Sequence, residues 1–188
     1  LGATGRGQRF AAGRQHVGEA MSTPIIGALV REAARPGVDA LMDAPPGVSC
    51  PAMTAAGAAD QILLVAEPTP FGLHDLGLAV AAFAQLARPM AAVINRAGVG
   101  DDGVARFLRE AGIPILGEIP YDRRWAEAYG RGEPLAAHPE MRARFEALIG
   151  ALLGRADASP ALLGRSAVMR ELDAARSGRP QEAGRRTE

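Results

Sequence analysis

The sequence predicts an α/β fold: a mostly parallel sheet with helices on both faces. Three observations carry this. Near-continuous apolar runs occur at residues 61–66, 90–94 and 113–119, with a shorter one at 38–42, and such runs belong to strands covered on both sides. Stretches of helical periodicity lie between them, long enough for the right-handed crossovers that parallel strands require. Polar or turn-forming residues follow each run directly, where the carboxyl ends of parallel strands bind ligands.

The elements follow in order. Residues 1–20 are rich in Gly and Arg and read as a linker or the remnant of an upstream part, with a possible short strand at 8–12. Ser22 and Thr23 are candidate caps and Pro24 suits a first helical turn. Ile25, Ile26, Leu29 and Val30 then recur at helical spacing until Arg35-Pro36-Gly37. A strand at 38–42 leads to a short helix at 51–59, a strand at 61–66, and a helix at 73–87. A strand at 90–94 is followed by a helix at 101–111, capped by Asp101 or Asp102, and by a strand at 113–119. Helices at 121–129 and 139–153 close a domain over 21–154. The remainder, 155–188, reads as one amphipathic helix at 159–175 and then a polar, disordered tail.

Composition narrows the function classes. The 21 acidic residues balance 21 basic ones, so the formal net charge is zero and nothing points to nucleic acid or an anionic membrane. At 188 residues, 48% hydrophobic and 22% charged, the chain is globular and sized for one domain. Cys50 is the single cysteine, which rules out an intrachain disulfide and a cluster built from this chain's cysteines alone. The apolar stretches fall far short of the ~20 residues that span a bilayer, and the amino terminus lacks the order of a signal peptide. A cytoplasmic location is expected.

The richest stretch is the run that ends in Asp43 and breaks at once into Pro45-Pro46-Gly47. An acidic residue at a strand's carboxyl end, before a rigid turn, is how many nucleotide hydrolases hold magnesium. The accompanying Gly-x-x-x-x-Gly-Lys-Ser/Thr phosphate loop is missing, and the chain contains no lysine at all. The Gly2-Ala-Thr-Gly-Arg-Gly7 stretch follows no apolar strand and reads as linker. Either the phosphate loop lies upstream of Leu1 or the protein never had one; the opening residue, Leu rather than Met, favours the first, and the fold is then expected to be incomplete at its amino end.

Four motifs in order carry a resemblance: Asp43-Ala-Pro-Pro-Gly47; Glu67-Pro-Thr69 with Gly72-Leu-His-Asp75; Val93-Ile-Asn-Arg96; and Ile113-Pro-Ile-Leu-Gly-Glu-Ile-Pro-Tyr-Asp122. From about residue 18 to about 135 the chain resembles the carboxyl-terminal part of the MinD/ParA-type P-loop ATPases of the CobQ/CobB/MinD/ParA superfamily. Asp-x-Pro-Pro-Gly-x-x-Cys-Pro resembles more narrowly the branch with an inserted ferredoxin domain. The resemblance implies ATP and Mg²⁺ as cofactors. Asp43 matches the aspartate that holds the magnesium shell through water, and Gly47 the switch glycine near the terminal phosphate. Asn95 matches the asparagine on the adenine edge, and Pro120 and Tyr121 the loop that packs on the base; Glu67 and Arg96 stand with them at the strand ends. Iron–sulfur clusters would lie only in the missing upstream insert. The resemblance further implies an ATP-dependent homodimer and hydrolysis coupled to iron–sulfur or electron-transfer chemistry on a partner. Without the phosphate loop, this segment alone is expected to bind nucleotide weakly and not to hydrolyse it.

Plainer readings stand beside these. Asp43 and Asn95 also suit turns, His74 suits a helix opening or surface position, and Cys50 reads first as a buried small hydrophobe. His16 and His138 share no metal-like spacing with His74. Two rival functions remain: a nucleotide-free scaffold that kept the sheet, and a ligase of the cobyrinate or dethiobiotin type, for which the chain shows no Cys-His-Glu glutaminase arrangement.

Overall fold

A computed structural model describes residues 2–3, 9–14, 23–33 and 39–156. In chain order the elements are β1 (Gly2–Ala3), β2 (Arg9–Phe10), α1 (Thr23–Ala33), α2 (Cys50–Ala58), β3 (Ile62–Ala66), α3 (Pro70–Phe83), β4 (Met90–Ala97), α4 (Gly103–Glu110), β5 (Ile115–Pro120), α5 (Arg123–Gly130) and α6 (Pro139–Ala156). Short 3₁₀ turns at Ala84–Leu86 and Leu135–Ala137 follow α3 and precede α6.

The fold is α/β. Among the described residues three strands form a parallel sheet in the order β3-β4-β5. Alternation along β3 buries Ile62, Leu64 and Ala66 on one face. There they join Met90, Ala92 and Ile94 of β4, and Leu76, Val80 and Phe83 of α3 with Val104 and Leu108 of α4 cover them. The central strand β4 is buried from Met90 to Ile94, as a strand covered on both faces must be. On the second face α6 lies so close to β5 that a Cβ at Gly117 would stand 2.8 Å from Cδ2 of Leu148. Farther along α6 the Leu152 carbonyl accepts a 2.9 Å hydrogen bond from the Gln61 side chain, at the mouth of β3. Val65, on the outer strand, remains 64% exposed.

Several boundaries differ from the sequence expectation. Residues 39–42 form no strand; the stretch 39–45 is irregular and Leu41 is 86% exposed. An extended segment becomes a strand only beside a partner that takes its N–H and C=O groups, and none of the described strands lies next to it. Helix α3 begins at residue 70 rather than 73, because Thr69 Oγ1 accepts the Gly72 amide at 3.0 Å and Pro70 opens the first turn. For α4 the capping oxygen belongs to Asp101, which accepts from Gly103 N at 2.9 Å, although Asp102 holds the boundary position. The short antiparallel pair of β1 and β2 sits inside the stretch read as linker, with Arg9 ion-paired to Glu32 of α1. The expected helix at 159–175 and the tail beyond it lie outside the described residues. No helix among the described residues is long and apolar enough to cross a membrane.

Candidate functional site at the carboxyl edge of the sheet

The carboxyl ends of β3, β4 and β5 release the chain at residues 67, 98 and 121, and their loops interlock. After β3, Glu67-Pro68-Thr69 turns directly into α3. Gly72 presses on this turn so tightly that a Cβ there would lie 2.2 Å from the Glu67 carbonyl oxygen. After β4, Gly98 turns the chain with φ of 90°. Gly100 then meets the same turn from the other side, where a Cβ would fall 1.5 Å from the Pro68 carbonyl oxygen. Two backbones in contact leave no room for a side chain, so Gly72 and Gly100 are required by close approach, and Gly98 by its positive φ alone. After β5, Tyr121 N donates to the Ala97 carbonyl at 3.0 Å and ties the third loop to the second.

Arg96 stands at the centre. The register of β4 on β5 passes from Asn95 opposite Ile119 to Ala97 opposite Pro120, and Arg96 is the residue left over. Its φ of 56° is left-handed, uncommon for a side chain of this size. A bulge of this kind re-aims a side chain out of the strand's alternation. The Arg96 guanidinium reaches Glu67 Oε2 at 3.3 Å and lies over the Tyr121 ring, 5.3 Å from its centroid. All three side chains keep access to solvent; Asn95 beside them is half-buried and Pro120 exposed. The amino end of α3, with its partial positive charge, opens onto the same edge.

Asp122, next in the chain, is already engaged. Its Oδ1 accepts the Arg124 amide at 2.8 Å and its Oδ2 accepts Arg124 Nε at 2.9 Å, which caps α5. The Arg124 hydrogen bonds hold the Asp122 carboxyl below its ordinary range and raise the guanidinium in return.

The structure therefore brings together Glu67, Arg96 and Tyr121 by contact, with Asn95 and Pro120 as their strand neighbours. Asp43 and Gly47 stand differently. Asp43 is exposed within the irregular stretch, and among the described residues no hydrogen bond or ion pair links it to the Arg96 group. Gly47, in the turn at 46–48, has φ of 77°, a conformation that asks for glycine. Cys50 is exposed rather than buried, because it opens α2 directly after that exposed turn. His74 sits exposed in the second turn of α3. The sequence reading missed Gly100 and the bulge; the Gly98-Val-Gly100 punctuation after an apolar run was the available signal.

Chemically, the edge offers planar groups: a phenol ring, a guanidinium and a carboxamide. These suit a flat heteroaromatic, by stacking and by in-plane hydrogen bonds. Among the described residues no group of three or more His, Cys, Asp or Glu side chains stands together as a metal site. An apolar groove of about 250 Å³ elsewhere, between residues 11–13 and α1, contains none of the expected site residues.

No family model matches the chain, and no solved structure matches it. It is similar to an uncharacterized protein, MJ0579, of Methanocaldococcus jannaschii: 31% identical over 106 residues, which is 56% of this chain and 36% of that protein. The chain thus spans about a third of the length of the curated relative that it matches.

Proposed function

We propose that this chain is the carboxyl-terminal part of the ATP-binding domain of a MinD-like P-loop ATPase of the ferredoxin-inserted branch. The observation that carries the reading is the Asn95–Arg96–Tyr121 array at the carboxyl edge of a parallel sheet, with Glu67 and Pro120 beside it. In this reading Asn95 meets the adenine edge with its amide, while Tyr121 and Pro120 pack on the base. The half-exposed ring and the half-buried amide fit a purine.

The metal side is less assembled. Magnesium keeps most of its waters and asks for one or two carboxylates, so Asp43 fits as a water-shell contact and no more. Magnesium, when bound, neutralises phosphate charge; Asp43 would hold its shell and Gly47 would place an amide by the terminal phosphate. The lone, exposed Cys50 does not by itself fit a cluster, and no step is derived through one. Homodimerisation across the nucleotide, a cytoplasmic setting and a redox or iron–sulfur partner complete the proposal for the whole protein.

The test uses the complete native polypeptide. Asp43→Asn is expected to retain the wild-type melting temperature and to abolish magnesium-dependent ATP turnover; unchanged hydrolysis removes Asp43 from the mechanism. Asn95→Ala is expected to weaken ATP binding roughly tenfold, the size of one or two lost hydrogen bonds. Wild-type affinity in that variant removes the base pocket from this edge. The irregular, exposed setting of Asp43 favours a second reading, a nucleotide-free scaffold. That reading predicts a native polypeptide of 19.5 kDa without ATP turnover.

A further inference from the structure

Behind the candidate site, α5 turns into α6 through residues 131–138, and a ring pair with an unmet nitrogen sits in that connection. The Trp125 and His138 rings meet with centroids 5.1 Å apart and planes tilted by 60°. His138 Nε2 is enclosed and has no hydrogen-bond partner. The nearest opposite charge is Glu133 Oε2 at 3.7 Å, just beyond hydrogen-bonding distance.

Each member is anchored to a different helix. Glu133 N donates to the carbonyl of Ala128, a buried residue of α5. The His138 carbonyl accepts Arg142 N and so starts α6, whose Met141 is buried. A tie between these two side chains is therefore a tie between the helices. A neutral imidazole that carries its proton on Nδ1 has nothing to donate from the enclosed Nε2, and the tie stays open. Imidazolium closes it, because a displacement of under an ångström converts 3.7 Å into a charge-assisted hydrogen bond.

We propose that His138 is a pH-sensitive fastener between α5 and α6, closed onto the Glu133 carboxylate when the imidazole is protonated and open when it is neutral.

The surrounding charges agree with this assignment. Arg131 donates to both Glu133 oxygens, at 2.6 and 3.3 Å, and holds that carboxyl below its usual range, so Glu133 is an anion in neutral and mildly acidic solution. Arg124 lies over the Trp125 ring at 5.2 Å and is occupied by Asp122. Glu127 pairs with Arg123, and Glu140 with Arg144. Arg142 is turned to the Ala136 carbonyl. Glu133 is thus the one carboxylate in ion-pair range of the His138 ring among the described residues. The inference does not rest on the nucleotide reading, but its site is one helix away from Tyr121.

Trp125 is the chain's single tryptophan, so it reports the contact without labelling. Emission of the wild-type chain is expected to fall in one transition as pH drops from 8 to 5, since imidazolium quenches a touching indole. Glu133→Gln should move the midpoint to lower pH, because the cation loses the carboxylate that faces it. His138→Gln should abolish the transition. Melting temperatures add an independent readout, with wild type exceeding Glu133→Gln most at pH 5 and the gap narrowing by pH 8. Emission independent of pH, a transition that survives His138→Gln, or a midpoint unmoved in Glu133→Gln would each overturn the proposal. The glutamine variant at 133 keeps the test decisive even if position 138 does not tolerate change.

Discussion

Ala87 and Arg96 both hold positive φ, at 53° and 56°, for different reasons. Ala87 ends the 3₁₀ turn after α3 in the left-handed conformation that glycine commonly supplies, and its exposed side chain does nothing that would justify the Cβ. Ala87→Gly is therefore expected to stabilise the fold by about 0.5–1 kcal/mol, measured by denaturant unfolding; a loss of stability there would contradict the assigned backbone. At Arg96 the strain is held in place by the ion pair to Glu67 and the ring of Tyr121, an arrangement typical of sites rather than of turns. The identities of Glu67, Asn95, Arg96 and Tyr121 were legible in the sequence, because each follows an apolar run. Their mutual contact was not, since a one-residue bulge leaves no periodic trace. Cys50 was misread for a related reason: apolar neighbours in sequence do not report that a helix opens on the surface.

Among the elements, α5 opens on a single capping side chain. Asp122 caps it and pairs with Arg124, whose hydrogen bonds depress the carboxyl. A depressed carboxyl contributes stability that is fully present above its unfolded value, near 3.8, and is lost as pH falls through the lower native value. The melting temperature of the wild type should thus exceed that of Asp122→Asn at pH 6, and the gap should vanish as pH descends below the ordinary carboxylate range. A constant gap would assign the loss to geometry instead of charge. The sequence located every helix and strand between 50 and 156 to within a few residues, because periods of 3.6 and 2 are local properties. It erred where partners decide. The 38–42 run has strand composition and no described neighbour, while the start of α3 was moved by a threonine cap before a proline.

In the whole molecule, the packing of α3 and α4 on the sheet converges on Leu108, which is fully buried. Leu108→Ala is expected to cost about 2–5 kcal/mol in chemical unfolding; a loss below 1 kcal/mol would mean that the core closes over the gap. The α/β class itself was legible, because buried parallel strands write continuous apolar runs. That α6 crosses the second face to reach Gln61 was not, since a contact over 91 positions has no local signature. That contact makes the last described helix a buckle on the sheet's edge: α6 closes back on the residue that leads into β3, so the strand that opens the parallel sheet is held by the last of the described segments to be made. A nascent chain released before residue 152 would lack the clasp, and α2, β3 and α3 would await α6 with the second face of the sheet uncovered.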